Sequence, residues 1–307
     1  MADLPSGVRS PLVSTLLAIV ACLLWSTAFV GIKIGLRYAP PFSFAGQRFM
    51  LAGLLLVPFW WRKSAYSQMI LPNLLLILKI SFFQTFLLYG LFYIGITMVP
   101  GALAAIIIGT APLITAVLAH FYMDGEGMTP AKMASLGLGV LGVVLISVSR
   151  QPWQSLAGMQ AFGGIVLLLL STIASGFGNV LVARDKVRID PVLLNSVQIF
   201  VGGFFLFLIS LPLEGLPKIA LPWAYYGALV WLALLSAVAF SLWFLLLKSP
   251  SVSVSRLNLW KFIIPVCGAL LSWALLPGES PSLASVLGMI MIAVAIIAYS
   301  LADIRHR

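Results

Sequence analysis

Acidic side chains are scarce in this sequence. Eight Asp and Glu stand among 307 residues, and charged residues of both signs together make up 8%, against roughly 25% in an ordinary soluble domain. All eight acids, Asp3, Asp124, Glu126, Asp185, Asp190, Glu214, Glu279 and Asp303, fall at a terminus, at the end of an apolar run or in a connection. That leaves no carboxylate at mid-depth to carry a proton, a sodium ion or an organic cation. Cysteine is nearly absent too: Cys22 and Cys267 lie inside apolar runs and read as buried free thiols, not as a bridge or a metal site. The two histidines, His120 and His306, have no metal-ligand spacing, and His120, near the end of a run, reads as structural. No nucleophile, base and orienting acid assemble inside the runs. Residues 137–142 match Gly-x-Gly-x-x-Gly, but they follow no strand and lie within an apolar run, which points to helix packing rather than a dinucleotide loop. Neither an enzyme nor a metal or cofactor is expected.

Hydrophobic residues, by contrast, make up 62% of the chain. A bilayer core takes about 20 apolar residues per helical crossing. Ten runs of about that length are present, at roughly 12–36, 41–60, 71–96, 98–122, 130–149, 159–183, 191–212, 222–247, 252–276 and 281–302. They are too long and too continuously apolar for barrel strands, so an all-α integral membrane protein with ten transmembrane helices is predicted. The first run exceeds a secretory h-region and carries Trp25, Lys33 and no convincing cleavage site, so it is expected to stay in the mature protein.

The net charge is +10, yet Lys and Arg form no soluble basic face, and no nucleic-acid partner is expected. Arg9, Arg62, Lys63, Lys132, Arg184, Lys186, Arg188, Lys248, Arg305 and Arg307 fall at the termini and in the even-numbered connections, whereas the opposite side receives chiefly Arg37, Arg150 and Lys218. The positive-inside rule then puts both termini in the cytoplasm.

One spacing occurs twice. Pro112 is followed thirteen and fourteen residues later by Gly125-Glu126, and Pro265 is followed at the same distances by Gly278-Glu279. Earlier, Pro41 aligns with Pro191 at an offset of 150, while the later block aligns at 153. The chain therefore divides into a tail at 1–11, a five-run unit at 12–149, a linker at 150–158, a second unit at 159–302 and a tail at 303–307. A unit with an odd number of crossings enters the second time from the opposite face, which predicts inverted repeats with the Glu126 and Glu279 turns on opposite sides. Such duplication points to a transporter.

Trp25-Ser26-Thr27-Ala28-Phe29 with Lys33, then Pro41 and Arg48-Phe49, then the two proline to Gly-Glu units, resemble the paired EamA modules of the drug/metabolite transporter superfamily. The resemblance covers about 15–302 and is nearest to the bacterial inner-membrane amino-acid exporters, particularly the aromatic amino-acid branch. It implies a ten-helix basket, a central cavity and alternating access. The second copy departs where Ser175 and Gln198 match Trp25 and Arg48, so the halves need not contribute equally. The chain also lacks the central glutamate of the related small multidrug exporters, which argues against cationic drugs as substrates.

A charged side chain at mid-bilayer costs about 2.5 to 3.5 kcal/mol, so intramembrane cations are site candidates. Lys261 lies four residues before Pro265, and Asn258, Lys261, Pro265 and Ser272 share a helical face; the competing interpretation is a structural pair with a backbone carbonyl. Lys79 heads a stripe of Phe82, Phe86, Tyr89 and Tyr93, with Gln84 adding a polar group; packing or lipid contact is the alternative. Trp25 sits mid-run and suits a planar substrate, with core packing as its alternative. Asn179, Asn195 and Ser175 offer hydrogen bonds from the second copy, although each also suits interhelical bonding. The family position of Arg48 favours a structural or gating contact, Lys33 is expected to snorkel, and Gly31 with Gly35 allows a close helix approach. Pro112 and Pro265 are expected to kink symmetric helices and act as hinges.

The resulting expectation is a bilayer-embedded exporter of amino acids, aromatic or other large neutral ones, facilitated rather than proton-coupled, with a monomer compatible with the pattern. Carriage of phosphorylated or nucleotide-linked metabolites is the alternative within transport, and a polytopic membrane enzyme or scaffold the alternative outside it.

Overall fold

The computed structural model describes residues 11–61, 68–123, 128–149, 156–184, 189–217, 220–249, 252, 257 and 260–305. All regular structure among them is helical. In chain order the helices are α1 (Pro11–Gly35), α2 (Pro41–Leu56), α3 (Leu74–Ser81), α4 (Leu88–Met98), α5 (Gly101–Ile108), α6 (Ala111–Tyr122), α7 (Pro130–Ser149), α8 (Leu156–Arg184), α9 (Pro191–Glu214), α10 (Trp223–Leu247), α11 (Ile263–Leu275) and α12 (Leu283–Arg305). A π-helical stretch, Phe82–Leu87, joins α3 to α4, and a 3-10 turn, Trp260–Phe262, leads into α11.

Among the described residues seven spans are long and apolar enough to cross a membrane, including Leu71–Met98 and Gly101–Tyr122 as continuous crossings. The 20-residue α7 and the shorter apolar helices Ile263–Leu275 and Leu283–Tyr299 occupy the other three expected runs.

The prolines act differently from simple kinks. Gly109 and Thr110 interrupt the fourth run, and Pro112 sits in the first turn of α6, where a missing N–H removes no intrahelical bond. Pro265 likewise stands in the first turn of α11. Pro112 thus starts the second half of a broken span, and Pro265 follows the 3-10 turn Trp260–Phe262. The two segments touch, since a Cβ added at Gly109 would lie 2.5 Å from Pro265 Cγ.

Helix packing comes in pairs related by the sequence offset. α2 crosses its own mate α9 and α7 crosses its mate α12, while α1 packs on α10 as α4 packs on α8, and α1 on α11 as α6 on α8; α5 also crosses α11. At the α2/α9 crossing, a Cβ on Gly53 would lie 2.6 Å from Phe200 Cβ, and one on its mate Gly203 would lie 2.7 Å from Phe49 Cβ. Ser196 Oγ donates to Gly53 O across that contact at 2.8 Å. The Gly-x-Gly-x-x-Gly segment serves packing as well, with Gly139 against Leu113 and Gly142 against the Gly288 carbonyl. Gly31 faces Leu232 and Gly35 receives the Phe44 ring.

Asp190, Glu214 and Glu279 hold helix starts. Asp190 accepts from Val192 N and Leu193 N in its own helix. Glu214 accepts from Phe42 N and Ser43 N, both at 2.8 Å, so the end of α9 caps α2. Glu279 accepts from Gly101 N at 2.7 Å and Ala102 N at 3.0 Å, so the segment after α11 caps α5. Exposed N–H groups and the helix dipole favour a carboxylate at these places, which accounts for acids at span ends in a chain that has none at mid-depth.

Candidate functional site

The break in the fourth span, the π stretch and the middles of α1, α2, α4, α8 and α10 surround one cavity, with about 770 Å³ of empty space counting its open mouth. Its walls are built from repeat mates. Trp25 faces it with Ser175, Tyr89 with Phe240, Phe92 with Trp243, Ile108 with Lys261, and Ala111 with Ile264, each pair separated by 150 to 153 residues. The duplicated halves thus contribute equivalent positions but different chemistry.

Two cations line this space. Arg48 is 1% exposed and engaged by three hydrogen bonds: Nε and Nη2 donate to Ser236 Oγ at 3.0 and 2.9 Å, and Nη1 donates to Tyr93 OH at 3.0 Å. Its guanidinium lies 4.6 Å from the Phe49 ring and 5.6 Å from that of Tyr89. Its mate Gln198 accepts from Thr85 Oγ1 at 2.8 Å. Thr85 and Ser236 are themselves mates to within one residue of the 150 offset, so one interhelical bridge has been built twice. Lys261 is buried as well, with its ammonium 4.6 Å above the Trp243 ring, and it has no hydrogen-bond acceptor among the described residues. A desolvated cation over an indole gains about 2 kcal/mol, less than the solvation it gives up.

Polar atoms are left over around these cations. The indole Nε1 atoms of Trp25 and Trp243 and the Gln84 Oε1 are buried without partners. Trp25 packs edge-on against Phe240 and Trp243, both with ring centroids 5.2 Å away. Gln84 belongs to the π stretch and is 2% exposed, seated against Gly178 of α8, where an added Cβ would meet Gln84 Oε1 at 2.1 Å. The arrangement therefore presents an unpaired ammonium and two indole donors, an amide acceptor, and aromatic walls, with no carboxylate among the described lining residues.

Of the residues singled out from sequence, Trp25, Arg48, Gln84, Tyr89 and Lys261 come together in the cavity. Lys79 does not. It is exposed, in a shallow groove between the π stretch and α9 that also includes Phe82, Phe86 and Phe205. The physical cause is the π stretch, which inserts one residue into the helical turn and rotates the following segment, so the stripe through Lys79, Phe82 and Phe86 faces outward while Tyr89 and Tyr93 face inward. Asn179 is buried one turn beyond Ser175, off the cavity wall, with both amide atoms unpartnered. Asn258 lies outside the described residues. Pro112 and Pro265 stand just behind the lining rather than on it. Asn195 bonds to Ala237 O and Ser241 Oγ between helices. Lys33, at the end of α1, donates from Nζ to Val99 O at 2.5 Å. Phe92, Thr172, Phe240 and Trp243 line the cavity and were missed. The signal for two of them was present, since the repeat offset carries Tyr89 and Phe92 onto Phe240 and Trp243.

The sequence model of the EamA-like transporter family matches the chain twice, over residues 12–148 and 162–301. The chain is 25% identical to the uncharacterized transporter YvbV of Bacillus subtilis, over 92% of this chain and 90% of that protein. It is 26% identical to the uncharacterized inner membrane transporter YedA of Escherichia coli, over 94% of this chain and 90% of that protein. A solved chain described as a crystal structure of a protein superposes with a TM-score of 0.70 over 96% of this chain and 99% of its own, at 20% identity, a likeness of fold alone.

Proposed function

Because the chain belongs to the EamA-like transporter family, we propose that it carries amino acids with aromatic or other large neutral side chains out of the cytoplasm, by alternating access around the Arg48 and Lys261 cavity. In this reading the units at 12–149 and 159–302, joined by the linker at 150–158, are inverted five-helix repeats making ten crossings of a bacterial inner membrane, with both termini cytoplasmic. The reading rests on one observation above all: Lys261 is a buried ammonium over an aromatic ring that makes no hydrogen bond among the described residues, in a cavity whose described lining holds no carboxylate. A substrate carboxylate answers that charge. Arg48, bound to Ser236 and Tyr93 by three of its five N–H donors, holds the wall and raises the local positive potential. The substrate side chain packs against Trp25, Phe92 and Trp243, while Gln84 Oε1 and the ring faces receive its α-ammonium.

A phosphorylated metabolite would also answer two cations. The unpartnered Gln84 carbonyl and the aromatic walls favour an amino acid, because a phosphate needs donors and repels acceptors. With no acid at mid-depth among the described residues, no protonation step is built into the path, and substrate moves down its own gradient.

Thermal unfolding of purified protein across a ligand panel tests the assignment. A ligand at about one hundred times its Kd stabilises the state that binds it by about 2.7 kcal/mol. Aromatic amino acids are expected to raise the Tm, glycine and sugar phosphates to leave it unchanged, and Lys261→Met to remain folded but lose the shift. Stabilisation by sugar phosphates alone would overturn the amino-acid assignment.

A further inference from the structure

Among the described residues, the two ends of the cavity differ in what they bury. At the Gly101 end, the Glu279 carboxylate accepts from the first two N–H groups of α5, at 2.7 and 3.0 Å. Just before that helix, Val99 O accepts from Lys33 at the end of α1. Gly101 itself is pressed against α11 and the turn after it: an added Cβ would lie 3.1 Å from Ser272 Oγ and 3.2 Å from Leu276 Cδ1. One turn inward, the Phe29 ring lies 3.0 Å from where a Cβ on Gly268 would stand. This end is therefore shut by a charge-assisted cap, a lysine bond and an apolar contact, with one unpartnered buried hydroxyl, Ser272 Oγ, beside them.

The offset that relates the halves carries Phe29 onto Asn179 and Gly268 onto Thr115. Both lie past the cavity toward its other end, Asn179 beyond Ser175 on α8 and Thr115 beyond Ala111 on α6. Thr115 Oγ1 lies 3.6 Å from the Cβ position of Gly176, so α6 and α8 are closely apposed here. Asn179 is 0% exposed and Thr115 2%, yet neither amide atom of Asn179 nor Thr115 Oγ1 has a hydrogen-bond partner. Where one end closes with an aromatic ring on a glycine and one unpartnered hydroxyl, the other closes over three polar atoms stripped of water. Burying polar groups without partners is unfavourable, and hydration relieves it.

We propose that Glu279 is the latch that keeps the cavity shut at the Gly101 end, and that the empty carrier opens first at the Asn179 and Thr115 end. This rests on the alternating-access reading above. Opening at Asn179 gives water to unsatisfied groups. Opening at Gly101 instead breaks two charge-assisted bonds at a helix N-terminus and exposes Phe29. In the topology proposed above, the Asn179 end faces the cytoplasm. The resting carrier then offers its cavity to cytoplasmic substrate, and release outside requires the Glu279 carboxylate to leave the start of α5. Glu279 touches no substrate; it is a positioning residue whose effect is on which end is open.

The test uses the full chain with Cys22 and Cys267 replaced by Ala and a reporter, Ala28→Cys, on the cavity wall. An impermeant maleimide is applied to right-side-out and inside-out vesicles, with unfolding temperature measured in parallel. The parent should label from the cytoplasmic face and little from outside. Glu279→Gln should raise labelling from outside about tenfold, the shift of a two-state equilibrium when a charge-assisted contact is weakened. Glu279→Asp, which keeps the charge, should lie between them. Asn179→Leu should reduce labelling from the cytoplasmic face without lowering the unfolding temperature, because it removes the unsatisfied amide. A Glu279→Gln protein that is less stable but labels as the parent does would make Glu279 a structural cap and overturn the proposal. Simultaneous labelling of the parent from both faces would instead contradict alternating access itself.

Discussion

Two buried cations in one cavity have opposite expected costs. Arg48 is bound to Ser236 and Tyr93 by three hydrogen bonds and stacked on two rings. Removing it leaves the Tyr93 hydroxyl without that donor and opens a void beside Phe49. Arg48→Met is therefore expected to destabilise the protein by about 1.5 to 3 kcal/mol, read as a lowered unfolding temperature or loss of inserted protein. Arg48→Lys should recover little of it, since a compact ammonium cannot span a hydroxyl pair as a planar fork does. Lys261→Met should be neutral or stabilising, because it deletes an uncompensated buried charge and keeps most of the apolar stem. Equal destabilisation by both substitutions would show that Lys261 is structural. The family position of Arg48 pointed to a structural or gating contact, and the structure bonds it to Ser236 and Tyr93, while the place of Lys261 before Pro265 marked it as a buried cation. The sequence misplaced Lys79, because nothing in Phe82–Leu87 marks a π turn and the helical face was extrapolated straight through it.

At the scale of elements, the close crossing of α2 and α9 fixes how the halves meet. Gly53 and Gly203 each admit the other helix to within van der Waals contact of the backbone, so a branched side chain there must push the helices apart. Gly53→Val and Gly203→Val are each expected to cost about 1 to 3 kcal/mol and to reduce folded protein in the membrane. Gly137→Val, at a position with nothing within 4 Å of the added Cβ, should be tolerated. Comparable losses at all three glycines would mean that helix propensity, not the crossing, sets the cost. The repeat and its prolines were legible because spacing survives in sequence when residue identity has drifted. That Pro112 begins a half-helix rather than kinking a whole one was not legible, since it depends on Gly109 meeting Pro265. The capping of α2 by Glu214 and of α5 by Glu279 links residues 172 and 178 positions apart, a tertiary fact without local signature.

For the whole molecule, duplication supplies a symmetric frame and substitution of mates supplies direction and chemistry. Ile108 against Lys261 gives the cavity a charged side, Trp25 against Ser175 an aromatic one, and Phe29 against Asn179 a difference between the two ends. Asp190, Glu214 and Glu279 are each spent on a helix start, and in the function proposed above the path needs no group that exchanges a proton. The most direct measurement of this account is counterflow. Proteoliposomes are loaded with an unlabelled aromatic amino acid and diluted into a trace of the labelled one, with no pH or sodium gradient. Labelled amino acid should accumulate transiently with the wild type and should fail to accumulate with a folded Lys261→Met protein. Accumulation that requires an imposed pH gradient, or that is undiminished in Lys261→Met, would contradict it.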